Sequence, residues 1–202
     1  KGLSADIVSI QIAADSVIEL RFDPLQKGEE MYKLEVTANR ITVSGSTAHG
    51  IFNGIQTLDQ LMRDGSFVDA CEIKDWPAFS WRGYMVDAAR NYQSIQLLKQ
   101  QIEIMSKYKL NIFHFHITED IAWRLAVKQY PQLTAEDNML RNRGRNYSEA
   151  DMNELISFCK ERYITLIPEI DMPGHSAAFT RAMKTDMQSD SGVVIVKNIL
   201  KE

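Results

Sequence analysis

Apolar and polar side chains alternate over Ile7-Val8-Ser9-Ile10-Gln11-Ile12 and again over Val17-Ile18-Glu19-Leu20-Arg21-Phe22. A period of two is what a strand with one buried face requires. Met31 to Val36 and Ile41 to Val43 follow the same rule, joined through turn-prone Asn39. After Ser46-Thr47 the period lengthens. Ile51, Ile55, Leu58 and Leu61-Met62 fall on one side of a helix, with Thr47 placed to cap its start. Gly65 is expected to stop that helix, and Phe67 to Ile73 to return as a strand. Residues 1–75 therefore predict a small α+β domain, a sheet carrying one helix whose apolar stripe is a packing face.

From Trp81 onwards the pattern becomes strand, helix, strand, helix, strand. Tyr84-Met85-Val86-Asp87-Ala88 is a compact apolar segment. Ser94 can cap a helix that turns Ile95, Leu98, Ile102 and Met105 inward. Asn111 to Ile117 is the second strand. A long polar loop follows, and Ser148-Glu149-Ala150-Asp151 is a capping box opening a helix through Leu155, Ile156 and Cys159. Ile164-Thr165-Leu166-Ile167 is the third strand, closed by Pro168. Val193 to Ile199 fits either a strand or a third helix. Continuous apolar strands between amphipathic helices imply parallel β/α units with both sheet faces covered. Roughly 120 residues follow Trp81, against about 250 for a complete eight-unit barrel. Residues 76–202 thus hold three units, either of a small open sheet or of a barrel interrupted partway.

Composition adds little to this α/β reading. Of 202 residues, 45% are hydrophobic and 25% charged, enough to bury a core in water. The net charge of −4 gives no basic field for nucleic acid. No apolar run reaches the length of a membrane span. Cys71 and Cys159 lie far apart within apolar patterns, and two such residues read as buried thiols. The chain begins at Lys1 with no signal-like segment, so an upstream piece is expected.

The polar residues are more informative. Arg90 follows the first parallel strand, Glu119 and Asp120 follow the second, and Asp171 and His175 follow the third. Ligands of β/α proteins bind at this C-terminal edge. A guanidinium donates to hydroxyls and carboxylates accept from them, a set suited to a polyhydroxylated ligand. The plainer alternative is that Arg90 and Glu119 pair only to hold the rim together. In His114-Phe115-His116 both imidazoles share one strand face. With His175 they suggest a metal-dependent hydrolase, against which stands their position inside the strand. Pro173-Gly174 forces a turn after the third strand, so Asp171 is expected to orient the His175 imidazole across it.

Several segments go beyond such general chemistry. Trp81 to Arg90, with Asp87 followed by Arg90, resembles the first-strand motif of glycoside hydrolase family 20, the β-N-acetylhexosaminidases. Tyr108 to Asp120 with Trp123-Arg124 resembles that family's second-strand signature, and Pro168 to His175 its third. Upstream, Tyr32-Lys33-Leu34-Glu35-Val36 and Gly50 to Leu58 are similar to the small domain preceding the barrel. Five motifs in order cover nearly the whole chain. The resemblance implies a (β/α)8 catalytic domain cut before its fourth strand. It also implies removal of terminal β-linked N-acetylglucosamine or N-acetylgalactosamine with retention, the substrate's own acetamide acting as nucleophile. On that resemblance Arg90 grips the sugar's 3- and 4-hydroxyls, while Glu119, Asp120, Asp171 and His175 support the site. No cofactor or metal is implied, the partner is an N-acetylhexosamine-containing glycan, and the resemblance favours a periplasmic or secreted compartment over the cytoplasm, which the residues themselves do not fix.

Two positions depart from the family pattern. Glu119 stands where an aspartate is usual, displacing the carboxylate by about 1.5 Å, one carbon–carbon bond. A misplacement of that order can cost about 100-fold in rate. Asn91-Tyr92 replaces the usual histidine-aromatic pair. The Gly-x-Asp-Glu segment that carries the family's acid and its acetamide-orienting aspartate does not occur in this sequence. The chain is therefore expected to be inactive alone and to self-associate through open sheet edges. A non-catalytic carbohydrate-binding module that keeps the Arg90 subsite is the alternative outside catalysis.

Overall fold

The computed structural model describes residues 10–13, 16–62 and 68–202. Two compact units divide the chain: residues 1–81 with 106–109, and residues 82–105 with 110–202.

The first unit is a five-stranded sheet of β1 (Ile10–Ala13), β2 (Ser16–Phe22), β3 (Tyr32–Val36), β4 (Arg40–Gly45) and β5 (Cys71–Asp75), in the order β1-β2-β4-β3-β5. Only β2 and β4 run parallel among these pairs. Helix α1 (Ala48–Leu61) packs Ile51 and Leu58 on Tyr32, Leu34, Val36 and Val43. Thr47 caps it as expected, accepting from the Gly50 amide at 3.1 Å. Gly54 lets the helix approach this closely, since a Cβ there would strike Val43 and Tyr32. The helix ends at Leu61 with Met62 as its cap. Gly65, the expected stop, and Phe67, the expected strand start, lie outside the described residues, as do Ile7 to Ser9.

The second unit holds β6 (Gly83–Asp87), α2 (Ile95–Lys107) as far as Met105, β7 (Ile112–His116), α3 (Glu149–Lys160) and β8 (Thr165–Glu169). The three strands are parallel in the order β6-β7-β8. Ser94 caps α2 by accepting from Leu97 N at 3.2 Å, and Ile95, Leu98, Ile102 and Met105 are all buried. Ser148 and Asp151 form the reciprocal capping box of α3. Phe113 and Phe115 join those α2 residues in one core, leaving His114 and His116 on the other strand face.

Three expectations change. Pro168 does not close the third strand but lies within it. The ambiguous C-terminal run is helical: α4 (Ala177–Met183) and α5 (Asp190–Ile199) bury Phe179 and Ile199 with Trp123 and Leu133. Cys159 is a buried thiol, whereas Cys71 is only half-buried. Among the described residues no helix is long and apolar enough to cross a membrane.

Candidate functional site

The C-terminal ends of the three parallel strands bring Arg90, Glu119 and His175 into mutual contact. Arg90 follows a tight turn after β6, whose last residue, Asp87, receives the Arg90 amide at 2.9 Å. The guanidinium forks between two carboxylates, Nη1 on Asp87 and Nη2 on Glu119. The Asp87 hydrogen bond holds the Arg90 pKa above its usual value, with the charges of Asp87 and Glu119 adding to it against desolvation. Glu119 is 4% exposed, yet its Oε1 meets both Arg90 and the Nδ1 of His175. Arg90 Nη2 also lies 3.3 Å from that imidazole nitrogen.

A turn presents Glu119 in this way. Glu119 N donates to Ala122 O and Arg124 N to Ile117 O, each at 2.9 Å, so residues 117–124 fold back on themselves. Asp120 stands beside Glu119 and His175: one of its carboxylate oxygens lies within 4.8 Å of ligand atoms of both, and its Oδ1 accepts from Ala177 N at 2.9 Å, at the start of α4. His175 has φ 51°, a left-handed conformation that costs an L-residue roughly 1–2 kcal/mol and marks a position held by its surroundings.

The expected Asp171–His175 pair is corrected. The imidazole takes the carboxylate of Glu119, while Asp171 is held through its amide, which donates to Thr118 Oγ1 at 3.1 Å. Parallel register explains the remainder. His116 lies opposite Glu169 in the β7–β8 ladder. Glu169 reaches both imidazoles of the His-x-His segment, His114 through Nε2 and His116 through Nδ1 at 3.0 Å. One oxygen of Asp171 lies within 4.8 Å of ligand atoms of His116 and Glu169. His114 and His116 thus engage Glu169 while His175 engages Glu119. Among the described residues these three histidines form no common metal-ligand group.

Asp87, Glu169 and Arg124 carry much of this geometry without having been assigned a role from the sequence. Arg124 is fully buried and donates to the carbonyls of Ala89, Arg141, Asn142 and Arg145. Burial lowers its pKa, but carbonyls and not a carboxylate receive its protons.

Parallel strands joined by helices, with a polar constellation at their C-terminal ends, are the layout of a β/α protein of the TIM-barrel kind, a fold whose ligands bind at this rim. The model of the glycosyl hydrolase family 20 catalytic domain matches residues 79–198, and that of the family's domain 2 matches residues 4–76. The chain belongs to glycosyl hydrolase family 20. A beta-hexosaminidase of Porphyromonas gingivalis is 38% identical over 186 residues, covering 84% of this chain and 23% of that protein. A beta-N-acetylhexosaminidase of Cellulomonas fimi is 35% identical over 189 residues, covering 90% of this chain and 38% of its own. The crystal structure of a beta-N-acetylhexosaminidase from Bacteroides fragilis superimposes with a TM-score of 0.82 at 32% identity, over 91% of this chain and 42% of that one. The chain therefore spans less than half the length of these relatives.

Proposed function

We propose that this chain supplies the terminal-sugar subsite of a retaining exo-β-N-acetylhexosaminidase acting on terminal β-N-acetylglucosamine or N-acetylgalactosamine. The contact among Arg90, Glu119 and His175 is the observation that carries the reading. Arg90 has five N–H donors, and its two carboxylate partners leave others to meet vicinal ring hydroxyls. A guanidinium already oriented by Asp87 and Glu119 pays little ordering entropy when the sugar arrives.

In this reading the substrate's acetamide oxygen attacks the anomeric carbon, and an acid protonates the leaving oxygen. Glu119 and His175 act on that acid as positioning residues, through charge and hydrogen bonding. Asp171, on the rim beside His116 and Glu169, lines the same side. The glutamate at 119 reaches both Arg90 and His175 despite its extra methylene, which supports a rearranged but working rim. No cofactor enters the reaction.

Titration of the 202-residue chain with N-acetylglucosamine tests the subsite. The expected dissociation constant is about millimolar, because only part of a pocket is present, and Arg90→Ala weakens it at least about tenfold. Binding that Arg90→Ala leaves unchanged would sink the proposal. An aryl N-acetyl-β-glucosaminide should release no product with this chain, since no Gly-x-Asp-Glu segment occurs in it. We also propose that the chain self-associates, supported by β6 and β8 each having one neighbour and by exposed Tyr84 and Met85. A concentration-independent monomer in sedimentation would contradict that.

A further inference from the structure

Successive peptide groups around Arg90 are held from two different places. On the N-terminal side the strand ends do it. Ala88 N and Ala89 N donate to His116 O at 3.0 and 3.3 Å, and Arg90 N donates to Asp87 Oδ1 at 2.9 Å. The carbonyl of that same Ala89–Arg90 peptide accepts from Arg124 Nη2 at 3.2 Å and from its Nε at 3.3 Å. On the C-terminal side residues 141 and 142 take over. Arg141 Nη1 donates to Arg90 O at 3.3 Å and to Asn91 Oδ1 at 3.0 Å, while Tyr92 N donates to Asn142 Oδ1 at 3.3 Å.

The gripping loop is itself set from the interior. Fully buried Arg124 donates to the carbonyls of Arg141, Asn142 and Arg145 at 2.8, 3.0 and 2.9 Å. Arg145 N closes a turn on Asn142 O at 3.1 Å, and Asn142 takes φ 48°, a left-handed backbone that asparagine tolerates. One guanidinium therefore fixes both the turn that bears Arg90 and the loop that grips this turn. Asn91, one of the two departures from the family pattern, gives its side-chain oxygen to the same grip.

Arg141 and Asn142 are exposed, so their three hydrogen bonds to residues 90–92 add nothing to a core. What they fix is the direction in which Arg90 leaves the backbone. An arginine side chain reaches about 6 Å, so a backbone rotation of about 10° moves its guanidinium by about 1 Å. A binding group works only when held to within about 0.5 Å of its productive place.

We propose that Arg141 and Asn142, anchored by Arg124, are positioning residues for sugar binding, holding the turn so that Arg90 meets the ring hydroxyls already aimed. What Arg90 binds rests on the hexosaminidase reading; how Arg90 is aimed rests on these hydrogen bonds.

The test compares the chain with Arg141→Met/Asn142→Gly and with Asn142→Asp. Glycine adopts a positive φ without strain, so the double variant removes the grip and spares the loop backbone. Aspartate keeps an acceptor for Tyr92 N. NMR follows two readouts: proton exchange of the Arg90 guanidinium, assigned against Arg90→Ala, and the dissociation constant for N-acetylglucosamine. The double variant should exchange these protons at least about tenfold faster and bind the sugar about tenfold more weakly, with the amides of β7 and α3 protected as before. Asn142→Asp should stay within about twofold of the parent chain in both readouts. Unchanged Arg90 exchange in the double variant overturns the proposal, as does faster exchange with undiminished sugar affinity. Lost protection spreading through β7 and α3 also overturns it, because the role is then merely structural. If the parent chain binds no N-acetylglucosamine, the hexosaminidase reading fails separately. The exchange readout then decides alone: faster exchange upholds the aiming of Arg90 by this loop, and unchanged exchange overturns it.

Discussion

The two units bury different things. In the first, α1 seals one face of the sheet with Ile51 and Leu58, and the buried polar residues Thr42, Ser44 and Asn53 are neutral. In the second, the strand ends and the following loop bury His116, Glu119 and Arg124. A buried ionisable group costs free energy unless its partners replace water. The first unit spends its sequence on packing, and the second spends part of its stability on holding polar groups in place. A core explains the one; the other goes with the candidate site.

Arg124→Met should separate the two most sharply. It leaves the buried Ala89 carbonyl unpaired and removes three further hydrogen bonds, to the carbonyls of Arg141, Asn142 and Arg145, which at about 1 kcal/mol or more each suggests a loss on the order of 4 kcal/mol. Hydrogen exchange should show lost protection in the second unit with the first unit's amides unchanged. Loss in both together would break the comparison. Leu34→Ala is the counterpart, cutting a fully buried side chain from the first unit at a cost of about 3 kcal/mol. Urea unfolding should show that loss without altering the second unit's exchange.

Ser148→Ala removes one half of the α3 capping box and should cost about 1 kcal/mol, read as earlier fraying of that helix. The smallest effect is invisible at neutral pH. Burial pushes the Cys159 thiol from 9.0 up to about 12. Its folded pKa is raised, so the stability it contributes is intact below about pH 9 and is lost as pH rises through that window. Alkaline unfolding of Cys159→Ala should lack this component. In the native protein a thiol reagent at pH 8 should label Cys71 and spare Cys159.

Patterns that depend on neighbouring residues were legible in the sequence. Thr47 and Ser148 announce their helices because caps act over three residues, and the period of Ile95, Leu98, Ile102 and Met105 names a buried face without reference to anything distant. The site was legible in part. Arg90, Glu119 and His175 were placed at one rim because parallel strands end at one edge, and they meet there. Their partners were harder to see. His175 takes Glu119 from another strand rather than Asp171 four residues away, because the left-handed backbone at His175 turns the ring across the rim. Glu169 as the partner of both imidazoles follows from the register of β7 on β8, which no local pattern contains. Arg124 was part of a quoted motif, but three of its five hydrogen bonds to carbonyls go to a loop brought in from residues 141–145.

Pro168 has an effect that reaches outside the sheet. Thr165 N and Glu169 O both point to β7, so the alternation of the backbone turns Pro168 towards the side of β8 away from β7. A strand arriving there finds a gap in the row of donors, and any partner must align its carbonyls around that missing proton. β6 has no proline, and its outer row is unbroken. Whatever strand lies alongside β8 on that side therefore receives one hydrogen bond fewer than a strand alongside β6, a difference set by a single imino acid.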